Sequence, residues 1–146
     1  MPRRFTLAEA ESLLPTLRPL LSEAAGVKSE YDRAARCFDG LLQRIMLMGG
    51  LAPDREEAAE SRHARDRAGE RLKRIVEKIE QNGCVLKDLD IGLVDFPTVF
   101  RGEEVYLCWK MDEPRIAWWH GVEEGFAGRK PIDREFREKH QGDKPH

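Results

Sequence analysis

The sequence contains few cysteines and no long apolar run. Its three cysteines, Cys37, Cys84 and Cys108, form no CxxC pair, which argues against both a disulfide framework and a structural zinc ribbon. No stretch of about 18 apolar residues is available to span a membrane. The N-terminal stretch MPRRFTLAEAESLLP also lacks the apolar core of a secretion signal. We therefore expect a cytoplasmic protein with reduced cysteines and no membrane contact.

An excess of one charge sign is missing as well. Charged residues make up 36% of the chain and hydrophobic residues 40%, yet the formal net charge is -2. The most basic run, RHARDRAGERLKR from Arg62 to Arg74, is interrupted by Asp66 and Glu70 at helical pair spacing, which favours a solvated, ion-paired face. Nucleic acid is therefore not an expected partner. The length of 146 residues fits a single domain over 1–146.

The N-terminal residues predict a short helix followed by a long one. Thr6 and Glu9 form a T-x-x-E capping box, so a helix is predicted over 6–14, where Pro15 ends it. Thr16 is a suitable N-cap for the second helix. This start places Pro19 in the first turn, where its missing N–H is not needed.

Two long helices are predicted to form an antiparallel hairpin over 16–82. Glycines and a proline break the chain between 49 and 53, and a cap at Asp54 begins a third helix that ends near Gly83. In the second helix, apolar residues recur at alternating spacings of three and four, which is typical of a coiled-coil seam. The seam consists of Leu17, Leu20, Ala24, Val27, Tyr31, Ala34, Phe38, Leu41, Ile45 and Met48.

The third helix offers little apolar cover near the tip of this hairpin. Its early positions facing the seam are small or polar, namely Ala58, Ser61 and Arg65. The distal seam residues should therefore be partly exposed in a monomer, and an apolar patch of this size usually marks an interface. We expect a homodimer, or a docked protein partner, at the distal hairpin. The uncovered residues are Phe38, Leu41, Ile45 and Met48.

The second half of the chain changes from helical to strand periodicity. Short apolar segments separated by RG and MDEP turns predict a small antiparallel β-meander over 83–132. The last residues, 133–146, are polar and are predicted to form a frayed tail. The fold class is therefore α+β: a short N-terminal helix, a coiled-coil-like helical hairpin and a small sheet.

Loop lengths predict which residues of the meander face each other. A two-residue loop at Arg101 and Gly102 pairs Asp95 with Cys108, and a four-residue loop over 111–114 pairs Cys108 with Ala117. Alternation then separates a core face from a second face. The core face holds Val94, Phe96, Val105, Leu107, Trp109, Ile116 and Trp118. The second face holds Asp95, Glu104, Tyr106, Cys108 and Trp119.

His120 decides whether this second face can carry a ligand site. In the predicted register it lies on the core side, away from Cys108. A bulge at the step from Trp118 to Trp119 would bring it to the second face, and bulges are frequent near functional sites. The candidate site comprises Asp95, Tyr106, Cys108, Glu113, Trp119, His120 and Arg129.

Two kinds of chemistry are open to these residues. Asp95 and His120, with Cys108 or Glu113 as a further ligand, are competent donors for a divalent transition metal such as zinc, iron or manganese. Cys108 with His120 as its base could act as a nucleophile, although a carboxylate opposite the thiol opposes thiolate formation. The alternative to both is structural, with Asp95 accepting hydrogen bonds from its own turn or from Arg129.

The stretch GFAGRKP is a candidate anion-binding loop. Gly125 and Gly128 would let successive backbone N–H groups converge, and Arg129 can bind a carboxylate or phosphate with two donors. The alternative is a glycine-rich turn whose arginine pairs internally with Asp95 or Glu113.

Several motifs in order resemble one family. They are FTLAEA with LLPTL between Phe5 and Leu17, GLVDFP at Gly92 to Pro97, YLCW at Tyr106 to Trp109, EP at Glu113 and Pro114, WH at Trp119 and His120, and GFAGRKPI at Gly125 to Ile132. Together they resemble the bacterial domain of unknown function 2203 family over nearly the whole chain. The family pattern matches four of the candidate positions, Asp95, Cys108, His120 and Arg129. The resemblance implies no reaction, substrate or catalytic residue.

The function predicted from the sequence is a non-catalytic interaction or scaffold protein that assembles through its helical hairpin. The alternative is a metal-binding protein or metal-dependent enzyme with a site around Asp95 and His120. The residues leave open whether the protein is an enzyme.

Overall fold

A computed structural model describes residues 3–49 and 55–143. Its helices are α1 (Leu7–Ser12), α2 (Leu14–Leu47), α3 (Arg55–Glu80) and α4 (Arg134–Lys139). Its strands are β1 (Val85–Asp88), β2 (Leu93–Phe100), β3 (Glu103–Lys110), β4 (Trp118–Gly121) and β5 (Lys130–Pro131), with a 3-10 turn at Phe126–Gly128 before β5. The α+β class with a helical first half and an antiparallel sheet is confirmed.

The described residues group into two compact units. One comprises the residues up to Leu21 together with those from Glu77, and the other comprises Ser22–Val76. The single domain predicted over 1–146 stays a prediction. None of the described helices is long and apolar enough to cross a membrane.

The second helix begins earlier in the chain than predicted. The capping box is present, since Thr6 Oγ1 accepts from Glu9 N at 3.1 Å and Glu9 Oε1 accepts from Thr6 N at 2.9 Å. However, α2 begins at Leu14, so the predicted N-cap at Thr16 is wrong. Pro15 lies in the first turn, where a missing N–H costs no hydrogen bond. Pro19 then lies beyond that turn and removes one intrahelical hydrogen bond.

The Ser22–Val76 unit contains an antiparallel pair of helical segments. The ion pair between Arg71 and Glu30 spans 2.8 Å, and Ser61 Oγ donates to Cys37 Sγ at 3.1 Å nearer the distal end. From the first pair to the second, the residue number rises along α2 and falls along α3. The two helices are therefore antiparallel, which confirms the hairpin. A continuous coiled coil stays a prediction. The predicted connection with its Asp54 cap lies outside the described residues.

Two seam predictions are corrected by the observed burial. Leu20 is only half-buried, whereas its neighbour Leu21 is buried. In the distal hairpin Leu41 is buried, which corrects its predicted exposure, while Phe38 and Ile45 are half-buried and Met48 is exposed, as predicted. The guanidinium of Arg65 lies 5.0 Å from the Phe38 ring centroid and covers part of the ring, because a long arginine side chain can cover apolar surface while its charge stays in water.

The sheet is an antiparallel meander with the order β1-β2-β3-β4-β5. The turn between β2 and β3 has left-handed backbone at Arg101, φ 54°, and Gly102, φ 74°, as a two-residue hairpin turn requires. It pairs Phe100 with Glu103 and Asp95 with Cys108. The predicted register of this hairpin is confirmed.

The register between β3 and β4 differs from the prediction by one residue. Cys108 pairs with Trp118, and Tyr106 pairs with His120, because the connection spans residues 111–117 and is longer than the predicted four-residue loop. Glu113 holds this longer loop, since its Oε1 accepts from Lys110 N at 2.8 Å. A one-residue shift moves every side chain to the other face. Trp118 and His120 therefore lie on the face of Asp95, and Trp119 lies on the core face.

The core face of the sheet is otherwise as predicted. Trp109 is fully buried, and Phe5 packs edge-on against Phe96 with ring centroids 5.4 Å apart. Arg18 of α2 ties the β3–β4 loop to this core, since it donates to the carbonyl oxygens of Met111 and Glu113 at 2.7 and 2.9 Å. The buried members of the predicted core face are Val94, Phe96, Val105, Leu107, Trp109 and Ile116.

The C-terminal residues form ordered structure where a frayed tail was predicted. Asp133 caps α4 by accepting from Phe136 N at 2.8 Å, and the Phe136 side chain is fully buried. The prediction missed this helix because it has a single apolar anchor, and a six-residue helix carries little periodicity. Residues 144–146 of the predicted tail lie outside the described residues.

Candidate metal centre

Three strands bring a carboxylate, a thiol and an imidazole together. Asp95 of β2 lies directly opposite Cys108 of β3, and His120 of β4 follows two residues after the partner of Cys108. One ligand atom from each side chain lies within 4.8 Å of the other two. The side chains are closed off from solvent, with residue exposures of 1%, 0% and 3% respectively. The structure thus joins the three predicted metal ligands, and the longer loop, not a bulge, puts His120 with them.

The hydrogen bonds of His120 define where its protons lie. Its Nδ1 atom is 2.8 Å from the carbonyl oxygen of Gly121, which only accepts hydrogen bonds, so Nδ1 carries a hydrogen and donates it. Its Nε2 atom is 3.1 Å from Asp95 Oδ2, which is also an acceptor when ionised. A cation, either a proton or a metal ion, therefore belongs between Nε2 and Oδ2.

Asp95 has unused ligand capacity. Its Oδ1 atom is buried and has no hydrogen-bond partner, although most buried carboxylate oxygens are paired. An unpartnered buried carboxylate oxygen is costly, and this one lies beside two further groups that can act as metal ligands.

The Cys108 thiol is held in its protonated form by its surroundings. Burial raises its pKa to about 12, and the charge of Asp95 adds to the rise, while Arg129 opposes it. A nucleophilic cysteine needs the opposite shift. These surroundings disfavour the predicted Cys108–His120 nucleophile pair, whereas a metal ion can displace the thiol proton directly.

Arg129 lies over Cys108 and is bound to the protein on several sides. Its Nη2 atom donates to Glu113 Oε1 at 2.7 Å and to the carbonyl oxygen of Cys108 at 3.1 Å. The guanidinium carbon lies 5.2 Å from the Trp118 ring and 4.8 Å from the Phe126 ring. Its Nε atom is buried without a hydrogen-bond partner. Of the predicted roles, the internal pair with Glu113 is the one observed.

The glycine-rich loop uses its N–H groups locally. Gly128 N donates to the carbonyl oxygen of Gly125 at 3.1 Å, and Arg129 N donates to that of Phe126 at 3.3 Å. Gly125 has φ 63° and so adopts a backbone that favours glycine. These contacts favour the structural alternative for this loop, and anion binding stays a prediction.

Of the other candidate residues, Tyr106 lies near the three candidate ligands and Trp119 does not. The Tyr106 ring lies 5.5 Å from the His120 ring, and its pKa is raised by burial and by the charges of Glu104 and Asp95. Trp119 lies on the opposite face, stacked 5.0 Å from Phe136, so its assignment to the site is wrong.

Sequence reasoning missed three contributors to the site. The carbonyl of Gly121 orients His120, and the rings of Trp118 and Phe126 lie against the Arg129 guanidinium. Trp118 would have followed from the correct β3–β4 loop length. Nothing in the spacing of the chain identified the other two.

Comparison with known proteins agrees with the resemblance of the sequence motifs. No curated protein and no solved structure matches the chain significantly. The family model described as "Uncharacterized conserved protein (DUF2203)" matches residues 3–132, which include every residue of the candidate metal centre. This chain is therefore a member of the DUF2203 family of uncharacterised conserved proteins.

Proposed function

We propose that this protein binds a divalent transition metal through Asp95, Cys108 and His120. One observation carries the proposal: His120 Nε2 and Asp95 Oδ2 face each other at 3.1 Å in a buried cluster that also holds a thiol. The carbonyl of Gly121 fixes the tautomer of the imidazole, as the second hydrogen bond of a metal-ligating histidine usually does.

The distances suit a small tetrahedral ion. Zinc bonds of about 2.0–2.1 Å to nitrogen and oxygen place two ligand atoms about 3.3 Å apart, close to the 3.1 Å between Nε2 and Oδ2. A thiolate ligand requires a somewhat longer separation of about 3.5 Å, and the three atoms lie within 4.8 Å of one another. Small side-chain movements would complete the geometry.

The donor types favour zinc over the other candidates. A thiolate suits zinc and iron, an imidazole suits both, and a carboxylate alone would suit manganese. A divalent ion also offsets the two negative charges of an ionised Asp95 and a Cys108 thiolate. Three protein ligands leave a coordination position for a water molecule; because the three side chains are closed off from solvent, this position supports metal binding and not by itself a reaction on a substrate.

The competing explanation is a buried ion pair between Asp95 and His120. Such pairs occur in protein cores and contribute little net stability. In this explanation the Cys108 thiol interacts with the Asp95 carboxylate as a neutral neighbour, whereas metal binding uses the thiol as a ligand and brings a cation to the carboxylate.

Metal analysis separates the two explanations. Protein without an affinity tag, purified without chelator, should carry about one zinc per chain by mass spectrometry, or take up zinc to that level. The variants Cys108→Ser and His120→Asn should lose it. Cys84→Ser is the matched control, because Cys84 is also buried but belongs to no ligand cluster among the described residues. A wild-type protein that takes up no zinc, iron or manganese refutes the proposal.

We also propose that the protein assembles with a second copy through its distal hairpin. Four neighbouring apolar residues near the end of α2 are exposed: Leu42 at 40%, Met46 at 73%, Leu47 at 83% and Met48 at 54%. Contiguous exposed apolar surface usually marks an interaction site. This surface supports a scaffold role alongside metal binding.

Sedimentation at micromolar concentration tests the assembly. The wild-type protein should be a dimer, and Leu47→Glu should shift it to a monomer. Ile91→Glu is the control, because Ile91 is an exposed apolar residue, at 44%, in the other unit. A wild-type monomer at all concentrations, or equal effects of both variants, refutes assembly through this surface.

A further inference from the structure

The C-terminal residues 133–143, here named the C-terminal strap, cover a surface that the rest of the sheet leaves open. The family match ends at residue 132, directly before the strap. Its contacts with the sheet include an aromatic one on the core face, a backbone one at a strand edge, and an exposed ion pair between Glu135 and Arg101 at 2.8 Å. They do not involve the three residues of the metal centre.

The aromatic contact centres on Phe136. Its ring lies 4.6 Å from the Phe100 ring and 5.0 Å from the Trp119 ring. Phe100 comes from the end of β2 and Trp119 from β4, so the two rings form an apolar site between strands. Among residues 133–143, Phe136 is the one that is buried. Phe136 is therefore the buried apolar anchor of α4.

The backbone contact extends the sheet beyond β1. Val99 and Gln141 exchange both of their backbone hydrogen bonds, at 2.9 and 2.8 Å, and Thr98 Oγ1 donates to the carbonyl oxygen of Gln141 at 3.2 Å. β1 covers only the start of β2. The strap thus occupies an edge position in the way that extended peptides add to exposed sheet edges.

A histidine links α4 to the start of α1. His140 Nδ1 donates to the carbonyl oxygen of Phe136 at 2.7 Å, and its Nε2 accepts from the backbone N–H of Leu7 at 2.8 Å. The imidazole also stacks on the Phe136 ring, with centroids 5.2 Å apart. Phe136 and His140, one helical turn apart, therefore form a compact recognition element.

We propose that the sheet surface at Phe100, Trp119 and the Val99 edge is a peptide-docking site that the chain fills with its own strap. The kind of partner that fits it is a protein segment with a short helix carrying phenylalanine, a histidine four residues later and one extended residue after that. Such a partner binds by displacing the strap. A tethered segment has an effective concentration in the millimolar range, so the site is closed to weak competitors.

A peptide of residues 131–143 with a fluorescent label, added to the full-length chain, tests this proposal. The variant Phe136→Ala removes the strap's anchor, so it should bind the peptide at least about tenfold more tightly than the wild-type chain does, by fluorescence polarisation. A peptide carrying the same Phe136→Ala change is the control and should bind neither chain. A folded variant that does not bind the wild-type peptide overturns the proposal.

Hydrogen exchange of the wild-type chain decides the matter if the variant does not fold. If the strap can leave while the sheet stays folded, the Gln141 amide exchanges through local opening. It should then exchange at least about tenfold faster than central β3 amides such as that of Leu107. Equal protection of the two amides means that the strap leaves only when the sheet unfolds, and it overturns the proposal.

Discussion

Replacing His120 with phenylalanine should strongly destabilise the unit that holds the candidate metal centre. Both side chains of the His120–Asp95 pair are almost fully buried, at 4% and 2% exposure. Phenylalanine keeps a ring of similar shape but removes Nε2. The Asp95 carboxylate then loses its 3.1 Å partner, and its Oδ1 atom already has none.

The expected loss follows from leaving one buried charge without its partner. Breaking a buried ion pair from one side costs about 3–5 kcal/mol, a large part of the roughly 5–15 kcal/mol that stabilises a typical domain. The double variant Asp95→Leu with His120→Phe removes the charge as well, so most of the loss should be recovered, because apolar replacement of a buried pair is often neutral. The two substitutions should therefore be strongly non-additive.

Urea unfolding of chelator-treated protein, followed by tryptophan fluorescence, measures these values. The three tryptophans, Trp109, Trp118 and Trp119, all belong to the same unit as the candidate metal centre. His63→Phe, at an exposed position of α3, is the control and should change stability by less than about 0.5 kcal/mol.

The same urea unfolding in the presence of zinc tests metal binding. A free concentration of about one hundred times Kd should stabilise the wild-type protein by about 2.7 kcal/mol and should leave both variants unchanged. A loss below about 1 kcal/mol for His120→Phe, or a double variant as unstable as the single one, would refute the reasoning about the buried pair.

Three further predictions concern other residues. In native protein a thiol reagent should modify Cys37, which is exposed, far faster than Cys108, because burial raises the pKa of the Cys108 thiol to about 12; equal rates measured by mass spectrometry would contradict the closed site. In urea unfolding, Gly92→Ala should destabilise the protein more than Gly102→Ala. Both glycines have positive φ, which costs other residues about 1–2 kcal/mol, but of the two only Gly92 would place a Cβ against another side chain, that of Met111 at 2.6 Å. The backbone N–H at the start of α1 lowers the pKa of Glu9 below 4.5, so its contribution is present above pH 4.5 and is lost as pH falls through the lowered pKa; Glu9→Gln should unfold with a shallower acid dependence, and identical acid profiles would show that this carboxylate contributes nothing.

Much of the fold could be predicted because its signals are local. The capping box of Thr6 and Glu9 involves residues three apart, and the turn at Arg101 and Gly102 determines the β2–β3 register by its length alone. For the same reason the opposition of Asp95 and Cys108 was predicted correctly. Periodicity likewise identified the two long helices, although Pro15 misled the prediction of where α2 begins.

Long-range contacts decided the rest. The carbonyls of the β3–β4 loop bind Arg18, more than ninety positions earlier in the chain, and no local signal reports this length. The face of His120 depends on it, because a one-residue shift of register exchanges the two faces of a strand. Likewise, the sequence places Phe136 in a polar tail, and only the folded structure shows that its ring packs against Phe100 and Trp119. By itself the sequence determined the first three helices and the first four strands, the β2–β3 pairing and the residue types of the candidate metal centre, since these depend on neighbours in the chain. Only the tertiary structure brought His120 to Asp95 and Cys108, because that meeting depends on a loop held by a distant helix.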